Sequence, residues 1–230
     1  MKNLNNQSGR SMIEMLGVLA IIGVLSVGGI AGYSKAMLKY KTNKTIDQIT
    51  MLVTNIRTLY AQQNTFEELN VTNAIKMGVV PDEMKNGDSA LTNPFSGTVT
   101  IDVADSVPNA AGLNRAFVIG VNGIPKEACM AVAVSDWGSN YSSGLIAMAI
   151  SNKGGETGAV KASSLLTGET TAYAGADCSL TAVAESVIGE TTATQNSGAY
   201  CAKDLPIDVA EAAAGCNCDG SNCTFAIKYY

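Results

Sequence analysis

The residues best suited to chemistry in this 230-residue sequence are six cysteines and one carboxylate inside an apolar run. The carboxylate is Glu14, and no other charged residue occurs from position 11 to position 32. A carboxylate within a bilayer costs on the order of 2.5–3.5 kcal/mol even on lenient scales, so Glu14 requires a partner. The cysteines all lie in the second half of the chain: Cys129, Cys178, Cys201, Cys216, Cys218 and Cys223. An even set of cysteines beyond a membrane-type segment is typical of disulfides formed in an oxidising compartment.

The composition argues against catalysis and metal binding. The sequence contains no histidine, which removes the commonest general base and the commonest metal ligand. A nucleophile activated by histidine is therefore excluded. Cys216, Cys218 and Cys223 are closely spaced, but the spacings do not match those of zinc sites. We therefore expect no enzymatic activity, no metal site and no cofactor.

Charge is distributed unevenly along the chain. Residues 1–44 hold six of the 15 basic side chains and only one of the 20 acidic ones. The remainder is strongly acidic and has no basic stripe, which argues against nucleic acid as its partner.

A single long helix is predicted to position Glu14. The apolar run has about the 20 residues that a helix needs to cross a bilayer. Helical periodicity then continues as an amphipathic stripe formed by Ile46, Ile49, Val53, Ile56 and Tyr60. No proline occurs before position 81. The pattern predicts one helix from about residue 10 to about residue 63, roughly 80 Å long, whose apolar half must be buried in something outside the chain.

The rest of the sequence indicates an α+β head. A capping-box pattern at Thr65 predicts a short second helix, and a Gly- and Pro-rich connection follows over residues 77–97. Alternating or apolar runs predict strands over residues 98–103, 115–121, 144–150 and 224–230. Asn122-Gly123 predicts a turn, and Pro125 predicts a helix from 125 to about 136. We expect a helical spine packed on a mostly antiparallel sheet with disulfide-stapled loops.

The N-terminal motif resembles that of type IV prepilins and related pseudopilins. Gly9 is followed at once by RSMIEML and the long apolar run. In that family a membrane-embedded prepilin peptidase cuts after the glycine, and the acid five residues into the mature chain directs assembly. The resemblance implies cleavage between Gly9 and Arg10 and an assembly role for Glu14. Arg10 departs from the family, which usually has an N-methylated aromatic or aliphatic residue there.

Short segments of the head are similar to the type IVb class, which includes toxin-coregulated pilin. They are NPFSG at 93–97, AFVI at 116–119 and NGI at 122–124, which leads on to Cys129. The resemblance implies that Cys129 is joined to a late cysteine near the C-terminal strand. From the sequence itself, Cys178 and Cys201 are predicted to form a local pair. Cys216 and Cys218 are too close in sequence to bond readily to each other, so each is expected to bond elsewhere.

The resemblance implies a four-part chain: a leader peptide at 1–9, a transmembrane or filament-core half-helix at 10–32, an amphipathic half-helix at 33–63 and a globular head at 64–230. The expected function is that of a structural subunit of a type IV pilus, polymerised into an extracellular filament for adhesion, aggregation or conjugation. The expected partners are other copies of the chain, the prepilin peptidase, the inner-membrane assembly machinery with its ATPase, and an outer-membrane secretin.

The expected location is the inner membrane with the head in the periplasm, and then the cell surface. Four lysines on the head side of the apolar run, Lys35, Lys39, Lys41 and Lys44, outnumber the basic residues on its other side. The positive-inside rule alone would therefore place the head in the cytoplasm. The six cysteines favour the opposite orientation.

Two alternative functions remain open at this point. One is a single-pass membrane protein with an extracytoplasmic, disulfide-bonded binding head that does not polymerise. The other is a minor pilin or a pseudopilin of a secretion system. The glycines of the apolar run also allow two roles. One is close packing between helices, which the GxxxG pair at Gly28 and Gly32 permits. The other is bending or local melting of the spine as it leaves the bilayer for the filament core, since glycine weakens a helix by about 1 kcal/mol relative to alanine.

Overall fold

The computed structural model describes residues 12–104, 114–138, 144–151, 199–203, 209–218, 220 and 223–230. The chain divides into two compact units, Met1–Tyr40 and Lys41–Tyr230. The predicted pair of Cys178 and Cys201 lies outside the residues whose side chains are described, as do Gly9 and Arg10.

The first helix, α1, runs over Met12–Tyr60 and confirms the predicted spine. It passes through all five glycines of the apolar run without interruption. It ends three residues before the predicted boundary, where the Gln63 N–H donates to the Tyr60 carbonyl at 2.8 Å and forms a turn.

The second unit contains one antiparallel sheet against which the amphipathic part of α1 packs. Its described strands are β1 (Lys85–Asn86), β2 (Ala90–Thr92), β3 (Thr98–Ala104), β4 (Ala116–Ile124), β5 (Leu145–Ser151), β6 (Ala199–Lys203) and β7 (Cys223–Tyr229). Their order is β1-β2-β3-β4-β7-β5-β6, and each described pair of neighbours is antiparallel. The last strand of the chain thus lies in the interior of the sheet, between β4 and β5.

The predicted stripe of α1 supplies one side of the core. Four of its residues, Ile49, Val53, Ile56 and Tyr60, are buried in one cluster with apolar residues of the sheet, and Ile46 is partly buried against that cluster. The neighbouring Leu52 is also buried there. Burying a large aliphatic side chain contributes about 1.5–3 kcal/mol, so this stripe accounts for much of the attachment of α1 to the sheet.

Three shorter helices and one 3₁₀ turn complete the described elements. They are α2 (Val71–Lys76), the 3₁₀ turn (Asp82–Met84), α3 (Lys126–Ala133) and α4 (Val209–Gly215). A helix after Pro125 was expected, and α3 begins there as predicted. A short second helix was also expected, but α2 begins at a different residue from the predicted one.

The prediction that a helix starts at Thr65 is wrong. Glu68 adopts a left-handed backbone with φ of 65°, which breaks any helix passing through it. The helix that does form, α2, is capped by Asn70, whose side-chain oxygen accepts a hydrogen bond from the Asn73 N–H at 2.9 Å.

The predicted turn at Asn122-Gly123 is also wrong, because β4 continues through it to Ile124. Gly123 has a φ of 71°, and the pairing of β4 with β7 shifts register between Val121 and Ile124. The glycine therefore makes a bulge inside a strand, which is the other local structure that a left-handed glycine supports.

Candidate assembly segment

The apolar part of α1 presents a continuous exposed surface. Every residue from 12 to 36 is exposed, including large side chains such as Ile13 at 79% and Leu25 at 69%. A contiguous apolar surface of this kind marks a site of contact with a membrane or another protein. Among the described residues, α1 is also the one helix long and apolar enough to cross a membrane.

Glu14 lies in the first turn of α1. A carboxylate is stabilised there by the partial positive charge of the helix N-terminus. At 3.6 residues per turn, Glu14, Gly28 and Gly32 lie within about 40° of one another around the helix axis. The acid therefore shares one side of the helix with the GxxxG pair.

The glycines of the apolar run are not required by contacts within the described part of the chain. A Cβ added at Gly17, Gly23, Gly28, Gly29 or Gly32 would meet nothing within 4 Å. The helix is continuous through them, although each costs about 1 kcal/mol relative to alanine in water. Gly28 and Gly32 thus leave open backbone to which a second helix has access.

Within the second unit, α1 is held to the loop that follows α2 by polar contacts. The Asn55 side-chain amide donates to the Val79 carbonyl at 2.9 Å. The Lys44 ammonium lies 2.6 Å from the Glu83 carboxylate, and the Gln48 amide donates to the same carboxylate at 3.3 Å. The hydrogen bond and charge of Lys44 lower the pKa of Glu83 below its usual value.

The NPFSG and NGI segments, which carried the similarity to type IVb pilins, contact each other. The Asn93 side-chain oxygen accepts hydrogen bonds from the Phe95 N–H at 2.8 Å and the Gly97 N–H at 3.1 Å. Its amide donates to the Asn122 carbonyl at 2.7 Å. A Cβ on Gly97 would lie 1.8 Å from that carbonyl oxygen. Asn93 is buried, and its role in joining its turn to the end of β4 was not predicted from the sequence.

A second network lies around the C-terminal strand. The Tyr229 hydroxyl donates to the Trp137 carbonyl at 2.6 Å, and the Trp137 indole N–H donates to the Val132 carbonyl at 2.8 Å. Burial raises the pKa of Tyr229 to about 12, with Arg57 opposing and Asp136 reinforcing the increase.

Two disulfides join the described cysteines, none of which is free. Cys129 on α3 is bonded to Cys216, which directly follows α4, across 87 residues. Cys218 is bonded to Cys223 at the start of β7, across five residues. Cys216 and Cys218 thus bond to other cysteines and not to each other. The long staple joins α3 to the segment that leads into β7.

An exposed apolar N-terminal helix whose second half packs on an antiparallel sheet, with disulfides near the C-terminus, defines a type IV pilin. The family model described as Bundlin matches residues 35–185, more than half of the chain. The chain belongs to the Bundlin family of type IVb pilins and is a structural subunit of a type IV pilus. Pilins of this family polymerise with copies of themselves into extracellular filaments.

Solved structures of two type IV pilins are among those similar to the chain. The type IVb pilin from Salmonella typhi has 14% sequence identity and a TM-score of 0.47, covering 81% of this chain and 98% of its own. TcpA, a type IV pilin from the El Tor biotype of Vibrio cholerae, has 18% identity and a TM-score of 0.48, with coverages of 83% and 99%. No match was found among curated protein sequences.

Proposed function

We propose that this chain is a prepilin that is cut between Gly9 and Arg10 and then polymerises through the apolar half of α1, with Glu14 selecting the register. The observation that carries the proposal is a carboxylate in the first turn of a helix whose next 22 residues are all exposed. The surface requires burial against other helices or lipid, and the carboxylate penalises any burial that leaves it without a cation.

Hydrolysis of the Gly9–Arg10 amide supplies that cation. Water adds its hydroxyl to the Gly9 carbonyl carbon and one proton to the leaving Arg10 nitrogen. The new Gly9 carboxyl group then ionises, and its proton converts the Arg10 amine into an α-ammonium group. In the filament, the α-ammonium of one copy pairs with Glu14 of the neighbouring copy. A neighbour that is out of register leaves both charges buried without a partner, at a cost of about 3–5 kcal/mol.

The same proposal assigns the location and the other partners. The precursor is held in the inner membrane by the apolar half of α1, with the head in the periplasm, where disulfides form. A prepilin peptidase makes the cut, an inner-membrane assembly machinery with its ATPase extracts the subunit, and a secretin conducts the fibre outward. The protein has a structural role, and we propose no catalytic activity for it.

Replacing Glu14 by alanine tests the assembly role. We expect the variant to be cleaved normally but to form no surface filaments by itself, because the register-selecting ion pair is lost. The N-terminus is determined by mass spectrometry of the membrane-bound subunit, and filaments are examined by electron microscopy. Normal filaments from the variant alone would exclude this role for Glu14.

Two further variants separate processing from assembly. Replacing Gly9 by valine is expected to leave the precursor uncut and unassembled. Replacing Glu67, an exposed acid of the head, by alanine is the matched control and is expected to leave both steps unchanged. An unshifted N-terminus in wild-type cells that contain the peptidase would favour the non-polymerising membrane protein.

A further inference from the structure

Four cysteines form a single sulfur cluster in which the two disulfides are neighbours. The Sγ atoms of Cys129, Cys216 and Cys223 all lie within 4.8 Å of one another, and Cys218 is bonded to Cys223. The Sγ atoms of Cys218 and Cys223 each lie 3.5 Å from the Cys216 carbonyl oxygen. Cys223 is therefore close to both sulfurs of the disulfide to which it does not belong.

The four sulfurs differ in their access to solvent. Cys129, Cys216 and Cys223 are fully buried, whereas Cys218 is half-buried. The Lys126 ammonium donates at 2.9 Å to the side chain of Asn217, the residue between Cys216 and Cys218 in sequence. A nearby lysine favours the thiolate form of a reacting sulfur, and access decides which sulfur of a disulfide is attacked.

We propose that Cys218 is the site at which an external thiol enters this cluster, and that the Cys223 thiolate then released exchanges with the Cys129–Cys216 disulfide. The cluster is thus a modification site for thiols and thiol–disulfide oxidoreductases, and its pairing is exchangeable in the folded chain. The proposal is independent of the cleavage and assembly roles given to Gly9, Arg10 and Glu14.

Each step exchanges one thiolate for another without net oxidation or reduction. The external thiolate attacks the Cys218 Sγ, forms a mixed disulfide with it and releases Cys223 as a thiolate. The Cys223 thiolate then attacks the Cys129 Sγ, forming a Cys129–Cys223 bond while the Cys216 sulfur leaves with the electron pair of the broken bond. Attack on the Cys216 Sγ instead gives Cys216–Cys223 and a Cys129 thiolate. Reversal of the steps returns the external thiol.

Exchange moves the covalent link of α3 from the end of α4 to the start of β7. β7 is an interior strand that pairs with β4 and β5, so its position does not depend on this link. Cys216, which directly follows α4, loses its covalent connection to α3. Exchange is therefore expected to loosen residues 209–218 while leaving the sheet intact.

The single variants Cys218→Ser and Cys223→Ser test the proposal as a matched pair. Each removes one sulfur from the same disulfide, so both chains contain the same number of cysteines. In Cys218→Ser the remaining thiol, Cys223, lies within the cluster, and we expect Cys129–Cys223 or Cys216–Cys223 bonds alongside Cys129–Cys216. In Cys223→Ser the remaining thiol, Cys218, is accessible, and we expect it to be alkylated in the folded state while Cys129–Cys216 persists.

The pairings are read from the full-length chain in detergent, quenched with acid, alkylated and digested without reduction. Trypsin together with a protease that cleaves before aspartate separates the peptides of Cys129, Cys216 and Cys223, since Asp219 lies between the last two. Recovery of Cys129–Cys216 alone from Cys218→Ser, with Cys223 present only as a free thiol, would overturn the proposal.

A second measurement uses the wild-type chain and does not depend on either variant folding. The folded protein is exposed to reduced glutathione and analysed in the same way. We expect the first glutathione adduct on Cys218, with exchanged pairings appearing afterwards. A first adduct on Cys223, or the loss of Cys129–Cys216 before any adduct forms, would exclude Cys218 as the entrance. A Lys126→Gln chain is expected to acquire the adduct several-fold more slowly.

Discussion

At the scale of single residues, the close contact between Gly97 and Asn122 explains why the NPFSG turn ends in a glycine. The Asn93 side chain holds its own turn and donates to the Asn122 carbonyl. The same carbonyl oxygen occupies the space in which a Cβ of Gly97 would stand. Any side chain at position 97 must displace backbone, which is more costly than displacing a flexible side chain.

Gly97→Ala is therefore expected to destabilise the fold by about 3 kcal/mol, at the upper end for overpacking. The loss is measured by urea unfolding of the full-length chain in detergent, followed by the fluorescence of Trp137, the only tryptophan. Gly78→Ala is the control, since its Cβ meets open space but its φ is +73°, and this strain costs about 1–2 kcal/mol. Equal losses in the two variants would contradict the steric argument.

Tyr229 makes stability depend on alkaline pH. Burial favours its neutral form and raises its pKa to about 12 from the usual 10.0. The unfolded chain loses this proton above pH 10, so the stabilisation present below pH 10 is lost as the pH rises to 12. This difference in pKa between the folded and unfolded chain corresponds to about 2–3 kcal/mol of unfolding free energy.

Tyr229→Phe is expected to lose about 1 kcal/mol at neutral pH, because the Trp137 carbonyl loses its donor. The same variant is expected to show a flatter decline of stability between pH 10 and 12, measured by unfolding at fixed pH values. Tyr230→Phe, at an exposed ring, serves as the control. A decline as steep as that of the wild type would show that Tyr229 is not responsible.

At the scale of elements, α2 shows how one side chain decides where a helix begins. The capping-box pattern at Thr65 does not start a helix, because Glu68 is left-handed. Asn70 caps α2, and its amide also donates to the Glu68 carbonyl at 3.1 Å. The same asparagine thus closes the preceding turn and opens the helix.

Asn70→Ala is expected to cost about 1 kcal/mol of stability through loss of the cap. Thr65→Ala is the matched control and is expected to remain within about 0.5 kcal/mol of the wild type. Both are measured by the same urea unfolding. A larger loss of stability from Thr65→Ala than from Asn70→Ala would contradict the assignment of Asn70 as the cap of α2.

At the scale of the whole molecule, the two described disulfides close loops of very different length. The Cys129–Cys216 bond spans 87 residues and the Cys218–Cys223 bond spans five. On the chain-entropy account, such bonds stabilise the fold by about 4.5 and about 2 kcal/mol, respectively. The long bond joins parts of the sheet unit that are distant in sequence.

Replacing both cysteines of each bond by alanine tests this difference. We expect Cys129→Ala with Cys216→Ala to lower the unfolding free energy by at least about 2 kcal/mol more than Cys218→Ala with Cys223→Ala. The two double variants are compared by urea unfolding. A greater loss of unfolding free energy on removal of the Cys218–Cys223 bond would show that native contacts, and not loop closure, dominate the contribution of that bond to stability.

The sequence by itself determined the local features whose signals are continuous and periodic. Hydrophobic spacing predicted α1 and its buried stripe, alternation predicted β3, and apolar runs predicted β5 and β7. It also placed Glu14 within this helix, close to the start of its apolar run. These predictions succeeded because each depends on neighbours within a few residues along the chain.

The tertiary structure decided the features that depend on residues distant in sequence. It placed β7 in the interior of the sheet, converted the expected turn at Gly123 into a bulge, and brought Asn93 to the Asn122 carbonyl. It also selected Cys216 as the partner of Cys129 and brought Cys223 within reach of both. Sequence spacing cannot determine such pairings, because they depend on how strands and helices pack, and six cysteines alone allow 15 connectivities.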